Sequence, residues 1–174
     1  MMSEAAMEPE IVQFGPYRVI GMNYVGRNEN GEVAALWGGP GGFLSRVGEV
    51  EQPGCGCCGG NLAFGLCRCI PGVTDGSFEY VAAVAAAEDA PMPEGMLEAE
   101  VAAGAYAAFK VESLADIGKT WEAVGPWQSA HTEWDYYCGP DGCDCTSHPC
   151  FELYPPEFDG NGPVYVYIPL KPKQ

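Results

Sequence analysis

The segment Phe151-Glu152-Leu153-Tyr154 alternates. In a strand it sends Phe151 and Leu153 to one face and Glu152 and Tyr154 to the other. If both faces are covered, a carboxylate sits among aromatic rings. A buried, unpaired carboxylate is costly, and it responds by raising its pKa or by taking a cationic partner. At about 4 Å and an effective dielectric near 20, opposite charges gain on the order of 4 kcal/mol before desolvation. An aromatic-lined pocket with one acid therefore suits lipophilic cations, and cation–π contacts add about 0.5–2 kcal/mol. The plainer alternative is that Glu152 is a solvent-facing acid on an edge strand. The rings that could line such a pocket are Tyr24, Trp37, Phe64, Tyr80, Tyr106, Trp121, Tyr154 and Tyr167. Rings on strands and helices are more often simple core, but a buried tyrosine needs a partner for its hydroxyl, and a carboxylate supplies one.

The cysteines are the second set of reactive groups. Cys55, Cys57 and Cys58 share one loop, and Cys67 and Cys69 follow two apart on a strand, on one side of it. Cys138, Cys143, Cys145, His148 and Cys150 lie in a second loop. Cys-x-Cys spacing is not the paired Cys-x-x-Cys of a structural zinc site, yet closely spaced thiolates suit a soft metal or zinc. The second loop is thus the candidate metal set, against the alternative of reduced cysteines in long loops. A chain read as cytoplasmic is expected to keep its thiols reduced, and the odd count of nine agrees. His131 reads as a surface residue. No cofactor is required by any motif: the Gly38–Gly42 cluster lacks the Lys-Ser/Thr of a phosphate loop, and no nucleophilic triad is visible.

Charge narrows the partners. With 24 acidic residues against eight Lys and Arg, the net charge is -16. Such a field repels a phosphate backbone, so direct nucleic-acid binding is not expected. It favours solubility and concentrates cations near the surface. No stretch approaches the roughly 20 apolar residues of a membrane span, and residues 1–10 lack the apolar core of a secretory signal, so no membrane association and a cytoplasmic location are expected.

The elements that must position these groups read as a short acidic leader, residues 1–10, taken as disordered, and one domain, 11–174. Ile11–Val25 reads as a strand interrupted by Gly-Pro, and Val33–Val50 as a helix broken by Gly38–Gly42. Leu62–Ile70 and Phe78–Ala87 form a hairpin turning at Asp75-Gly76. Met96–Val111 reads as one long strand. Ser113 is an N-cap for a helix with Leu114, Ile117, Trp121 and Val124 in step, which Pro126 should end or kink. Phe151–Tyr154 and Val164–Leu170 close with a second Asp-Gly hairpin. Each half, about 11–90 and 96–171, therefore reads strand, helix, strand, strand. Two such units pair into one antiparallel sheet with both helices on one face, an α+β fold with a ligand groove at the pseudo-twofold axis.

The run VAAGAYAAFKVESLADIGKTWEAV, followed by FELYPPEFDGNGPVYVYIPLK, resembles the effector-binding family at the C-terminus of AraC- and MerR-type multidrug regulators, which also occurs alone in GyrI-like proteins. YRVIGMNY, AFGLC, GSFEYVAAV and MPEGM extend the likeness over about residues 12–171. The resemblance implies the same paired fold, a pocket for hydrophobic cations with Glu152 as its buried acid, and a standalone binding protein that sequesters or senses drugs or toxins, with no helix-turn-helix left in the chain. Some standalone members resemble hydrolases that open cyclopropane-bearing toxins. In that alternative Glu152 with Tyr80 or Trp121 would be catalytic, the acid activating water and the ring polarising the electrophile. A metal- or thiol-responsive role through the cysteine loops is the third reading.

Overall fold

The computed structural model describes residues 8–53, 62–70, 72–139, 142–143, 148–156, 158 and 160–173. The strands are β1 (Glu10–Phe14), β2 (Tyr17–Gly26), β3 (Ala63–Cys69), β4 (Phe78–Ala85), β5 (Leu97–Val101), β6 (Gly104–Val111), β7 (Trp134–Tyr136), β8 (Cys138–Gly139), β9 (Gly142–Cys143), β10 (Cys150–Tyr154) and β11 (Val164–Pro172). The helices are α1 (Glu32–Gly38) and α2 (Ile117–Ala130).

Nine strands make one curled antiparallel sheet in the order β1-β6-β11-β10-β3-β4-β2-β5, with β7 also pairing β11. The first unit is β2-α1-β3-β4 and the second β6-α2-β10-β11. They meet where β10 pairs β3, and both edges are extended by exchange. β1, which leads into β2, pairs with β6 of the other unit; β5, which leads into β6, pairs with β2.

This exchange explains why Ile11–Val25 and Met96–Val111 are each two strands. The chain bends at Gly15-Pro16 and at Ala102-Ala103, and the bends touch. Gly15 has φ +81°, and a Cβ there would lie 2.7 Å from the Ala102 carbonyl oxygen. Only glycine fits that crossing.

Strand alternation gives the sheet two buried faces. Val19, Phe64, Leu66, Val81, Tyr106, Phe151, Leu153 and Tyr167 pack on one, with Phe14 and Tyr17 against them. The opposite face carries both helices. There α1 lays Val33, Leu36 and Trp37 beside Ile20, Phe43 and Ala82, while α2 lays Ile117, Trp121 and Val124 against Phe109, Val166 and Ile168.

The helix starts differ from the pattern-based reading. The Ser113 hydroxyl accepts from the Ala115 N–H and caps a 3-10 turn at Leu114–Asp116; α2 begins only after that turn. Pro126 does not end the helix, which runs four residues past it to Ala130. Its ring is exposed, and the packing of Trp121, Val124 and Trp127 on the sheet outweighs the lost backbone bond. Pro126→Ala should therefore raise stability by about 2 kcal/mol, a helix-interior gain of about 3 less the roughly 0.4–1 that proline's restriction of the unfolded chain supplies. A higher urea midpoint with unchanged slope is the expected result.

Candidate functional site

Gly65, Cys67, Tyr80, Cys150, Glu152 and Tyr154 stand on the helix face at the seam between the two units. Glu152 is opposite Gly65 across the β10–β3 pair, and Cys67 is opposite both Cys150 and Tyr80. Glu152 is 9% exposed, so it is not the solvent-facing edge acid of the plainer reading.

Both of its oxygens accept from neutral donors. The Tyr80 hydroxyl donates to Oε1 at 2.7 Å and the Tyr154 hydroxyl to the same oxygen at 2.8 Å. The Trp121 indole N–H, from α2, donates to Oε2 at 3.1 Å. From α1, the Trp37 indole donates to the Tyr80 oxygen at 2.8 Å. Both units and both helices thus converge on one carboxylate. The Trp37 ring also meets the edge of Tyr154 at 5.4 Å, and Phe158 meets Tyr154 at 5.1 Å. Among the described residues no ion pair involves Glu152, so its buried charge is met by dipoles alone. Hydrogen bonds to a charged acceptor are worth about 1.5–3 kcal/mol each, which is how the acid tolerates this position.

Gly65 makes the arrangement sterically feasible. A Cβ there would fall 2.0 Å from the Tyr80 hydroxyl oxygen and 2.8 Å from Glu152 Oε1. The pattern-based reading did not single this residue out. A lone glycine inside an apolar strand is the available signal, since it marks a close approach of neighbouring atoms.

Of the rings expected to line the pocket, Trp37, Tyr80, Trp121 and Tyr154 gather at Glu152. Phe64, Tyr106 and Tyr167 do not. They take the other face of the sheet, where they ring Phe151, and Tyr106 donates to the Ala102 carbonyl. Strand parity is the reason: Phe64 adjoins Gly65, and Tyr167 is the register partner of Phe151, not of Glu152. Tyr24 is the register partner of Tyr80 on the same face but does not reach Glu152; it is half-buried and its hydroxyl accepts from the Asn28 N–H.

Burial drives the tyrosine ionisations upward, and the Glu152 charge adds to it at Tyr80 and Tyr154, which both stay protonated donors far above neutral pH. Burial likewise raises Tyr106, and it lifts Tyr136 and Tyr167 to about 12. For tyrosine the charged form is the deprotonated one. With folded values above the unfolded value near 10, the native state holds protons that the unfolded chain has lost. This contribution to stability is complete below about pH 10 and falls as pH rises beyond it. In an alkaline absorbance titration, Tyr136 and Tyr167 should ionise near 12, and Tyr80 and Tyr154 only as the fold is lost. Native-state ionisation of Tyr80 or Tyr154 near pH 10 would contradict the buried network.

Of the cysteines expected to be reduced, Cys67 and Cys150 are thiols. Among the described residues no group of three or more His, Cys, Asp or Glu side chains could hold a metal, so the proposed soft-metal or zinc set has no support. Cys150 is a thiol in the core against α2, and His148 stacks on Tyr137 at 3.7 Å. Cys138 and Cys143 are register partners in the β8–β9 ribbon, while Cys55, Cys57, Cys58 and Cys145 lie outside the described residues. Cys69 was read as a reduced thiol, but it is disulfide-bonded; spacing alone does not reveal connectivity. His131 lies part-exposed at the surface, where it ends α2 and stacks on Trp127 at 4.5 Å. A cavity of about 290 Å³ lies at the Tyr106–His148 end and touches none of the groups around Glu152. The carboxylate with its donors, not the size of a void, marks the chemistry here.

A pseudo-symmetric sheet with one buried acid between two helices is the architecture of a small-molecule-binding module. The chain belongs to the GyrI-like small molecule binding domain family, whose model matches residues 7–171. It is 29% identical over 169 residues to the transcriptional regulator BrlR of Pseudomonas aeruginosa, covering 94% of this chain and 56% of that protein. The chain thus spans just over half the length of that relative. Among solved structures, SAV2435 bound to tetraphenylphosphonium superposes with a TM-score of 0.61 at 17% identity, over 95% of this chain and 94% of that one. The integron cassette protein VCH_CASS2 of Vibrio cholerae gives 0.56 at 15% identity, over 94% and 96%. These similarities place the fold. Among the described residues no helix is long and apolar enough to cross a membrane.

Proposed function

We propose that this domain binds lipophilic organic cations against Glu152, and so sequesters or senses them. The observation that carries the reading is a buried carboxylate whose partners among the described residues are all neutral. Its full charge is left to complement a cation. The donors fix its position, and four rings from four elements offer π faces around it. Glu152 is nearly closed off, so the ligand enters by displacing Trp37 or Trp121, the half-buried rings that the two helices lay over it. The tetraphenylphosphonium complex of SAV2435, a protein of the same fold, supports the choice of ligand class. The match to part of a transcriptional regulator favours sensing, and the acidic surface draws cations from solution.

The test is a thermal-shift series with tetraphenylphosphonium and neutral triphenylphosphine oxide. At a hundred times its dissociation constant a ligand adds about 2.7 kcal/mol of apparent stability. The cation should raise the melting temperature in a concentration-dependent way and the neutral compound much less. Equal shifts, or none from the cation, would remove the reading.

One observation favours turnover as a second reading: the Tyr80 hydroxyl sits 2.7 Å from the acid. There Glu152 would orient or deprotonate water and Tyr80 would polarise the electrophile. A strained cyclopropane recovered unchanged after long incubation would count against it.

A further inference from the structure

Cys67 and Cys150 are directly opposed register partners across the β3–β10 pair, and both carry thiols. Directly opposed residues in an antiparallel pair have Cα atoms about 4.5 or 5.5 Å apart, according to their place in the hydrogen-bond alternation. Either spacing falls within the roughly 4.4–6.8 Å that a disulfide spans. Opposed side chains also share a face, so both side chains are on the helix side, Cys67 packed with the first unit's cluster and Cys150 with the second's. The next pair on that face is Gly65 and Glu152. On its other flank Cys67 is opposite Tyr80, and the Cys67 sulfur acts electrostatically on both Tyr80 and Tyr154. Cys67 is half-buried and Cys150 is 7% exposed.

We propose that Cys67 and Cys150 form a modification site in the floor of the binding groove, a dithiol that takes small organic disulfides and closes to a cross-strand disulfide. The more accessible Cys67 reacts first. Its thiolate attacks one sulfur of the small disulfide, the S–S bond breaks, and one small thiolate leaves. Cys150 then attacks the Cys67 sulfur of the mixed disulfide and expels the second small thiolate. Two protein thiols are oxidised, one small disulfide is reduced to two thiols, and the two cysteine protons pass to the departing thiolates. Both end states are neutral, which suits a buried position beside Glu152, where a lasting thiolate would face a like charge. The product ties the two units covalently at their seam. Its position in the groove floor links the site to the cation-binding reading above.

The test is peptide mapping of the folded wild-type protein after equilibration with excess oxidised glutathione and acid-quenched alkylation. The expected product is a peptide pair linking Cys67 to Cys150, 2 Da lighter than the dithiol by the loss of two hydrogens. Cys150→Ser should instead leave glutathione on Cys67. Recovery of both residues alkylated, or of Cys67 joined to any other cysteine, overturns the proposal. Tetraphenylphosphonium at a hundred times its dissociation constant should slow closure by up to about a hundredfold, in proportion to the empty sites. Closure at an unchanged rate leaves the dithiol site standing and counts against the cation reading alone.

Discussion

Glu152→Gln should weaken tetraphenylphosphonium binding about thirtyfold and leave triphenylphosphine oxide binding within about twofold. The phosphonium charge is shielded by four phenyl groups, which sets it about 7 Å from a carboxylate. At an effective dielectric near 20 that separation is worth about 2 kcal/mol, or roughly thirtyfold in affinity. Gln keeps the shape of the side chain, and its oxygen still accepts from Tyr80 and Tyr154. Its amide nitrogen must then face the Trp121 N–H, donor against donor. That conflict affects the protein with or without ligand, so it should appear mainly as a modest loss of stability. Titration calorimetry on both compounds separates the two effects. A similar loss for the cation and the neutral compound would mean that Glu152 shapes the groove without acting through its charge.

Gly65→Ala should be the most damaging small substitution in the site. Its methyl would overlap the Tyr80 hydroxyl at 2.0 Å and the ring carbon bearing it at 2.6 Å, and Tyr80 is only 2% exposed and has no room to retreat. Overpacking costs about 1–3 kcal/mol, and moving Tyr80 off Glu152 forfeits a hydrogen bond to a charged group worth about 1.5–3. The lower entropy of the unfolded alanine chain offsets about 0.4–1. A net loss of about 3 kcal/mol is expected in urea unfolding, together with weaker cation binding. Tyr80→Phe removes the colliding oxygen. The double variant Gly65→Ala/Tyr80→Phe should therefore lose clearly less than the sum of the two single losses. Strict additivity would show that the glycine does not act through Tyr80.

The alternation in Phe151–Tyr154 was enough to turn Glu152 and Tyr154 away from Phe151, because strand parity is a local property. The order of elements was likewise legible. The Asp75-Gly76 pair marks the first hairpin in the sequence and helical spacing identifies α2, so the two-unit order follows from short-range chemistry. What was not legible depends on contacts between distant segments. The division of Met96–Val111 into β5 and β6 follows from the crossing against Gly15, more than eighty residues away. Phe64, Tyr106 and Tyr167 alternate within their own strands, but which parity shares the Glu152 face is set by cross-strand register between distant segments. Gly65 has an ordinary strand conformation, so its requirement comes only from the Tyr80 ring on the next strand. Pro126 is carried within α2 by tertiary packing, against its intrinsic preference. The disulfide at Cys69 could not be inferred from cysteine spacing.

The central claim is that charge, beyond size and greasiness, selects the ligand. Titration calorimetry with tetraphenylphosphonium and tetraphenylborate tests it most directly, since the two ions share a shape and differ in the sign of their charge. Attraction of about 2 kcal/mol for one becomes repulsion of similar size for the other, so the cation should bind at least about a hundredfold more tightly. Comparable affinity for the two ions, or tighter binding of the borate, would contradict a binding site organised around Glu152.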